Sequence, residues 1–180
     1  MEVVYQSDKL IIVDNFFEDL DKQDPNSFYD MKNYRRKYSF PEQHDQFIID
    51  QYDGTDQVNA YGEIAAQKIK EFRADFPSNY TVSSGLHEIK HHTDGIGGIP
   101  PHSDRGHYCG VTVFINREWK REWGGWNYTL EEDDIKLNSP TYNRAVIIIA
   151  PILHGCTPVW EKDKVRRSMQ FFIDDADAEN

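Results

Sequence analysis

The sequence predicts an α+β fold in which an N-terminal helical part supports a β-rich C-terminal part. Apolar residues recur at helical spacing between Gln57 and Phe76, and short β-rich runs follow them, separated by Gly, Pro, Asn and Asp. The 180 residues suffice for one domain with a buried core. We therefore expect a single domain over 1–180, with helical support over about 14–77 and a sandwich or distorted barrel over about 80–174.

The predicted helix rests on one apolar stripe. Its members are spaced by three or four residues, so they share one helix face: Tyr61, Ala65, Ile69, Phe72 and Phe76. Pro77 ends the pattern. Further upstream, "KLIIVDNFF" begins as an apolar strand, and "EDLDKQDPNSFYDMK" is expected to be helical or turn-like with a break at Asp24-Pro25.

The C-terminal half contains five runs rich in β-branched and aromatic residues. They are "YTVSSGLHEIKHH", "YCGVTVFIN", "GGWNYTL", "RAVIIIAPILHG" and "RRSMQFFID". Such short runs between turn residues are typical of antiparallel strands. We expect most of this half to be sheet.

Composition excludes several classes of protein. There are 20 basic and 31 acidic residues, a net charge of −11, and no basic stripe of the kind that follows a nucleic-acid backbone. The stretch "MEVVYQSDKLIIVDNFF" has neither the basic start nor the long apolar run of a signal peptide or membrane span. We expect a cytoplasmic protein without nucleic-acid or membrane partners, with Cys109 and Cys156 as reduced thiols in strands. The oligomeric state is left open.

A histidine and a carboxylate stand two residues apart in "IPPHSDRGHY". If the strand period continues through them, His102 and Asp104 project from one face and can meet one ion. The pair alone is weak, because H-x-D occurs by chance and is common in polar turns.

A second histidine follows an apolar run in "AVIIIAPILHG". That run is expected in the core, and a buried imidazole needs a partner because an unpaired buried polar group costs a few kcal/mol, of order 1–3. The partner of His154 is either a metal ion or a backbone carbonyl.

The strand "VRRSMQFFI" places Arg166, Ser168 and Gln170 on one face and Arg167 on the other. An arginine in an apolar interior needs an anion, either an internal Asp or Glu or the carboxylate of a ligand. Two histidines and one carboxylate form the facial triad of non-haem Fe(II) oxygenases. An Arg-x-Ser pair can bind a dicarboxylate through a bidentate ion pair and a hydroxyl hydrogen bond.

Four motifs in this order resemble the Fe(II)- and 2-oxoglutarate-dependent dioxygenases, and within them the prolyl-4-hydroxylase-like branch. They are "PPHSD", "VTVFINREWKREWGG", "RAVIIIAPILHGCTPV" and "RRSMQFFI". The resemblance extends over about Leu10 to Asp174 in element order. It implies a double-stranded β-helix, or jelly-roll, for the β-rich part.

The resemblance also implies roles for single residues. His102, Asp104 and His154 look like the iron ligands, and Arg166 looks like the partner of the 2-oxoglutarate C5 carboxylate, assisted by Ser168. The implied cofactor is Fe(II), the implied cosubstrates are 2-oxoglutarate and O2, and ascorbate is a further candidate. The implied reaction hydroxylates a prolyl or similar peptide side chain and releases succinate and CO2.

The chain departs from this family at two tyrosines. His91 and His92 stand where one tyrosine is usual, and Phe114 stands where another is frequent. His92 or Tyr108 is a candidate to replace the missing hydroxyl. Phe114 and Trp126 are further candidates for contacts with cosubstrate or substrate, although the tryptophans near Trp126 also fit a hairpin that packs on its neighbours.

Three alternatives remain open from the sequence. The chain could bind metal and 2-oxoglutarate without turnover, or it could hydroxylate a small molecule. A zinc hydrolase would use the same His/Asp/His set, but it would leave the Arg-x-Ser strand without a task.

Overall fold

A computed structural model of the chain describes residues 1–28, 34–39, 48–91, 98–131 and 134–178. Within these ranges there are twelve strands and one α-helix, α1 (Asp56–Phe72). The strands β1 to β12 are, in order, Glu2–Gln6, Leu10–Asp14, Tyr34–Ser39, Ile48–Asp53, Tyr80–Lys90, Ile99–His102, Cys109–Phe114, Asn127–Glu131, Asp134–Asn138, Ala145–Ile149, Leu153–Cys156 and Val165–Asp175. None of the described helices has the length and apolar character that crossing a bilayer requires.

The strands form two antiparallel sheets. The major sheet has the order β1-β2-β10-β7-β12-β5-β4-β3, and the minor sheet has the order β6-β11-β8-β9. Side chains of the two sheets meet between them, where Arg166 on β12 contacts Cys156 on β11. The interior between the sheets therefore holds the candidate site.

Helix α1 covers the other side of the major sheet, against β5 and β12. The Thr55 hydroxyl accepts a hydrogen bond from the Val58 amide and so caps the first turn of the helix. The helix and the sheet share one apolar cluster, which includes Tyr61, Ala65 and Ile69 from the helix and Met169, Phe171 and Ile173 from β12. This cluster is the main core.

The N-terminal support expected over 14–77 has one α-helix, α1, among its described residues. Its first described part has only short 3₁₀ turns at Leu20–Lys22 and Pro25–Phe28. Proline lacks an amide hydrogen and disfavours helix in the residue before it, which explains the interruption at Asp24-Pro25. The end of "EDLDKQDPNSFYDMK", from residue 29 onward, lies outside the described residues. Strands β3 and β4 follow and extend the major sheet.

The run "RAVIIIAPILHG" forms two strands instead of one. It supplies β10 to the major sheet and β11 to the minor sheet, with Pro151 between them. Because proline has no N–H for a strand ladder, it suits the place where the chain leaves one sheet for the other. This crossing brings His154 directly opposite His102.

Candidate metal centre

Three side chains converge at the paired ends of β6 and β11. His102 and His154 are cross-strand neighbours with ring centroids 4.4 Å apart. Asp104 follows β6 and places its Oδ1 3.6 Å from Nε2 of His102 and its Oδ2 3.2 Å from Nε2 of His154. One ligand atom from each residue lies within 4.8 Å of the other two, so all three can bind one ion.

Backbone carbonyls orient both imidazoles. Nδ1–H of His102 donates to the Pro100 carbonyl oxygen at 2.9 Å, and Nδ1–H of His154 donates to the Ile152 carbonyl oxygen at 3.1 Å. A proton on Nδ1 leaves the Nε2 lone pair for a metal ion, as is common in metal-binding histidines. The two nitrogens that face Asp104 are therefore electron-pair donors.

The charge states also suit a metal ion. Burial, reinforced by His154, lowers the pKa of His102, which keeps that imidazole neutral. Burial alone would raise the pKa of Asp104, but the neighbouring imidazole of His154, with smaller contributions from His102 and His107, lowers it overall. A neutral imidazole and an ionised carboxylate are the forms that bind metal.

The residue beneath Asp104 is a glycine, Gly110 of β7. A Cβ on Gly110 of β7 would lie 3.1 Å from Oδ2 of Asp104 and 3.5 Å from the Phe172 ring. Because Gly110 has no side chain, the Asp104 carboxylate has room to lie where it does. Two imidazole nitrogens and a carboxylate oxygen on one side of an ion fit the Fe(II) that the family resemblance implies.

Arg166 lies in the same interior and is only 2% exposed. Its guanidinium lies over the Phe114 ring at 4.9 Å, and Nη1 donates to Sγ of Cys156. Its stem passes Gly125, where a Cβ would lie 3.2 Å from Cδ. Nε has no hydrogen-bond partner, and no described carboxylate lies within ion-pair distance of this guanidinium.

Arg167 differs from Arg166 in each of these respects. It projects from the opposite face of β12, its Nε lies 2.8 Å from Oε1 of Glu88, and its Nη1 donates to Oδ1 of Asn26 at 2.8 Å. Glu88 is buried and also lies 3.1 Å from Nζ of Lys90. Arg167 therefore belongs to a structural ion pair, and Arg166 is the arginine available to a ligand.

Ser168 ends a chain of buried hydrogen bonds. Thr112 donates to Oε1 of Gln170 at 2.9 Å, and Nε2 of Gln170 donates to Oγ of Ser168 at 3.1 Å. The Ser168 hydroxyl accepts this bond and makes no other described one. Its own proton is thus available to a ligand oxygen.

The metal cluster and the arginine are joined by one face of β7. Gly110 lies beneath Asp104 and Phe114 beneath Arg166, four residues apart, or about 13 Å along a strand. The interior therefore offers a donor set at one end and a cation at the other.

His87 is a residue of this interior that sequence reasoning missed. It pairs with Ser168 in the β5–β12 register and is close enough to Arg166 and Asp104 to respond to both charges. Burial, reinforced by the charge of Arg166 and opposed by that of Asp104, lowers the pKa of His87 to about 3, so the imidazole is neutral. No local motif marks this histidine, because only the pairing of β5 with β12 places it here.

Thr129 is a second missed residue. It pairs with His154 across β8 and β11, and its hydroxyl is fully buried without a hydrogen-bond partner among the described residues. The minor sheet thus also presents a polar group beside the cluster.

The four candidates for further contacts have different outcomes. Phe114 lies in the interior, against Arg166. Tyr108 does not, which corrects that expectation: its hydroxyl donates to Oδ1 of Asp75 at 3.3 Å and its ring packs on Phe76, in the helix-side core. The indole N–H of Trp126 donates to the backbone of a surface turn, at the Arg121 carbonyl oxygen. His92 lies outside the described residues.

The chain resembles known proteins in its fold and not in its sequence. No family model and no curated protein matches its sequence. Solved structures do resemble it. A prolyl hydroxylase from Trichoplax adhaerens, in complex with a hypoxia inducible factor oxygen degradation domain peptide fragment, aligns with a TM-score of 0.70 at 14% identity, over 94% of this chain and 84% of that one.

Two further structures extend this likeness. A Pseudomonas putida prolyl-4-hydroxylase aligns with a TM-score of 0.62 at 12% identity, over 92% of both chains. The non-heme alpha ketoglutarate dependent epimerase SnoN from nogalamycin biosynthesis aligns at 0.60 and 10% identity, over 94% of this chain and 79% of that one. The jelly-roll prediction is confirmed: the chain has the fold of the prolyl hydroxylases and of this epimerase.

Proposed function

We propose that the chain is a non-haem Fe(II)- and 2-oxoglutarate-dependent dioxygenase that hydroxylates a prolyl or similar peptide side chain, with release of succinate and CO2. The observation that carries the proposal is the buried guanidinium of Arg166. It has no anionic partner among the described residues, and it shares an interior with His102, Asp104 and His154.

Energetics favour a ligand anion at Arg166. Removing an ion from water costs several kcal/mol, of order 3–5 when no partner compensates it. A ligand carboxylate that binds the guanidinium supplies that partner. Ser168 can donate its hydroxyl proton to the same carboxylate.

Each part of the chain then has a task in the reaction. His102, His154 and Asp104 would hold the metal from one side and leave its other side for ligands. When bound, iron supplies the activation of dioxygen that accompanies decarboxylation of 2-oxoglutarate. Arg166 would fix the far carboxylate, and the apolar cluster of Ile89, Cys156 and Val159 excludes water around that end.

A peptide substrate is supported by the fold neighbours. Two of them are prolyl hydroxylases, and one of these was solved with a peptide fragment. The epimerase from nogalamycin biosynthesis has the same fold, so hydroxylation of a small molecule is the second candidate.

The test begins without oxygen. Fe(II) and 2-oxoglutarate are added anaerobically, and we expect a metal-to-ligand charge-transfer band; oxygen is then admitted and succinate is measured with prolyl peptides and with small molecules. Mass spectrometry identifies the product that gains one oxygen atom. Asp104→Ala is the control and is expected to lose turnover.

Other outcomes separate the alternatives. A band without succinate with any substrate supports a module that binds metal and 2-oxoglutarate only. No band with Fe(II), together with tight zinc binding and hydrolysis, contradicts the dioxygenase proposal and supports a zinc hydrolase.

A further inference from the structure

We propose that Cys156 is a positioning residue that turns the Arg166 guanidinium toward the distal carboxylate of 2-oxoglutarate. The inference rests on the proposed function. It concerns a direct contact in this chain, between Nη1 of Arg166 and Sγ of Cys156.

Cys156 lies at the right place for this task. It follows His154 by two residues on β11, so the two side chains share the face of the minor sheet that looks into the interior. The thiol is 3% exposed and packs with Ile89 and Val159. Arg166 reaches it from the facing sheet.

The contact leaves one edge of the guanidinium open. Nη1 lies on the side of Cδ, whereas Nε and Nη2 form the opposite edge, which can bind a carboxylate through two parallel N–H bonds. Nη1 is bonded to Sγ, and neither Nε nor Nη2 has a hydrogen-bond partner among the described residues. Cys156 thus holds one corner of the guanidinium and presents the free edge.

The Cys156 thiol is a suitable acceptor because an uncharged sulfur does not neutralise the positive charge of Arg166. Its S–H donates to the Thr157 carbonyl oxygen at 3.2 Å, which leaves sulfur lone pairs for Arg166. An internal carboxylate here would neutralise the arginine and exclude the ligand.

Other neighbours of Arg166 fix different degrees of freedom. The Phe114 ring supports the flat face of the guanidinium, and Gly125 gives the stem its room. Neither contact prevents the guanidinium from turning within its own plane. The hydrogen bond to Sγ of Cys156 prevents this turn, and the turn decides which edge of the guanidinium faces a carboxylate.

The experiment compares two 2-oxo acids. Dissociation constants of 2-oxoglutarate and of 2-oxobutanoate, which lacks the distal carboxylate, are measured anaerobically on the Fe(II) protein from the charge-transfer band. The variants are Cys156→Val, which removes the acceptor, Cys156→Ser, which keeps one, and Cys109→Val, a matched change at the other buried cysteine.

We expect Cys156→Val to weaken 2-oxoglutarate about tenfold and Cys156→Ser less than about threefold, because one hydrogen bond to a charged group is altered. Cys109→Val should bind like the wild type. Binding of 2-oxobutanoate should not change in any variant. In turnover, KM for 2-oxoglutarate should rise in Cys156→Val while kcat stays the same.

The inference is overturned if Cys156→Val binds 2-oxoglutarate as tightly as the wild type, or if it loses both 2-oxo acids to the same extent. A wild-type protein that forms no band with either acid contradicts the proposed function instead. Should Cys156→Val fail to fold, Cys156→Ala removes the same acceptor and gives the same comparison.

Discussion

Strand β12 presents different chemistry to the two sides of the major sheet. Toward helix α1 it carries Met169, Phe171 and Ile173, all fully buried in the main core. Toward the minor sheet it carries Arg166, Ser168 and Gln170, all buried as well. These six side chains are all buried, but those on the helix side are apolar and those on the inner side are polar or charged.

This difference between the two faces of β12 separates the face that stabilises the fold from the face that contains the proposed site. Apolar side chains gain about 25 cal/mol per Å² of area withdrawn from water, so the helix side stabilises the fold. The inner side buries an unpaired guanidinium nitrogen and, on the minor sheet, the unpaired hydroxyl of Thr129. Buried polar groups without partners lower stability, and their concentration on one side supports the proposed binding site there.

Phe171→Ala should cause the largest loss of stability. The ring packs on the helix beside Gly62, where a Cβ would lie 3.1 Å from it, and on Phe17 at a centroid distance of 6.2 Å. We expect a loss of about 3–5 kcal/mol in the free energy of unfolding in urea. Affinity for 2-oxoglutarate in the folded protein should stay unchanged, and a large drop in that affinity would show that the two faces are coupled.

Arg166→Met should have the opposite profile. We expect 2-oxoglutarate binding to weaken by about 2–5 kcal/mol, as when one partner of a buried charge pair is removed. The free energy of unfolding of the ligand-free protein should be unchanged or higher, because an unpaired buried charge disappears. Calorimetric titration and urea unfolding measure both, and destabilisation as severe as that of Phe171→Ala would contradict the comparison.

Arg167→Met is the matched control on the same strand. It breaks the contact with Glu88. Because Glu88 keeps Lys90 and Tyr52 as polar neighbours, we expect a loss of only about 1–2 kcal/mol in the free energy of unfolding. Binding of 2-oxoglutarate should not change. If this variant loses the cosubstrate and Arg166→Met does not, the assignment of the two arginines is reversed.

Ser168→Ala should give the smallest effect. It removes the hydroxyl that accepts from Gln170 and that is available to the ligand. We expect 2-oxoglutarate affinity to fall about fivefold, close to the value of one neutral hydrogen bond of about 1 kcal/mol. Thr112→Val changes the far end of the same hydrogen-bond chain, and an equal loss of affinity in that variant would argue against a direct contact from Ser168.

Much of the fold and part of the site follow from local sequence patterns. The apolar stripe predicted α1, which ends at Phe72 while Phe76 still enters the core through the following turn. Strand alternation separated Arg166 from Arg167, and the structure places them on opposite faces, as that pattern requires.

Other features depend on which strands become neighbours. The alternation of side chains along a strand tells which residues share a face of the sheet. It does not tell which other elements pack against that face. His87 and Cys156 enter the interior only because β5 pairs with β12 and β11 faces that sheet. Tyr108 lies outside it because its ring turns to the helix layer at Phe76. Such facts are long-range and leave no local trace.

The pairing of β2 with β10 has a consequence for how the molecule forms. Ile12 lies opposite Val146, so the major sheet joins segments from opposite ends of the chain. Contacts so distant in sequence slow folding, because a long loop must close before they form. His154 follows β10 after a short turn, and it meets His102 only when β11 pairs with β6. Because the candidate metal cluster depends on this long-range pairing, we expect metal binding to report a completed sandwich rather than a folding nucleus.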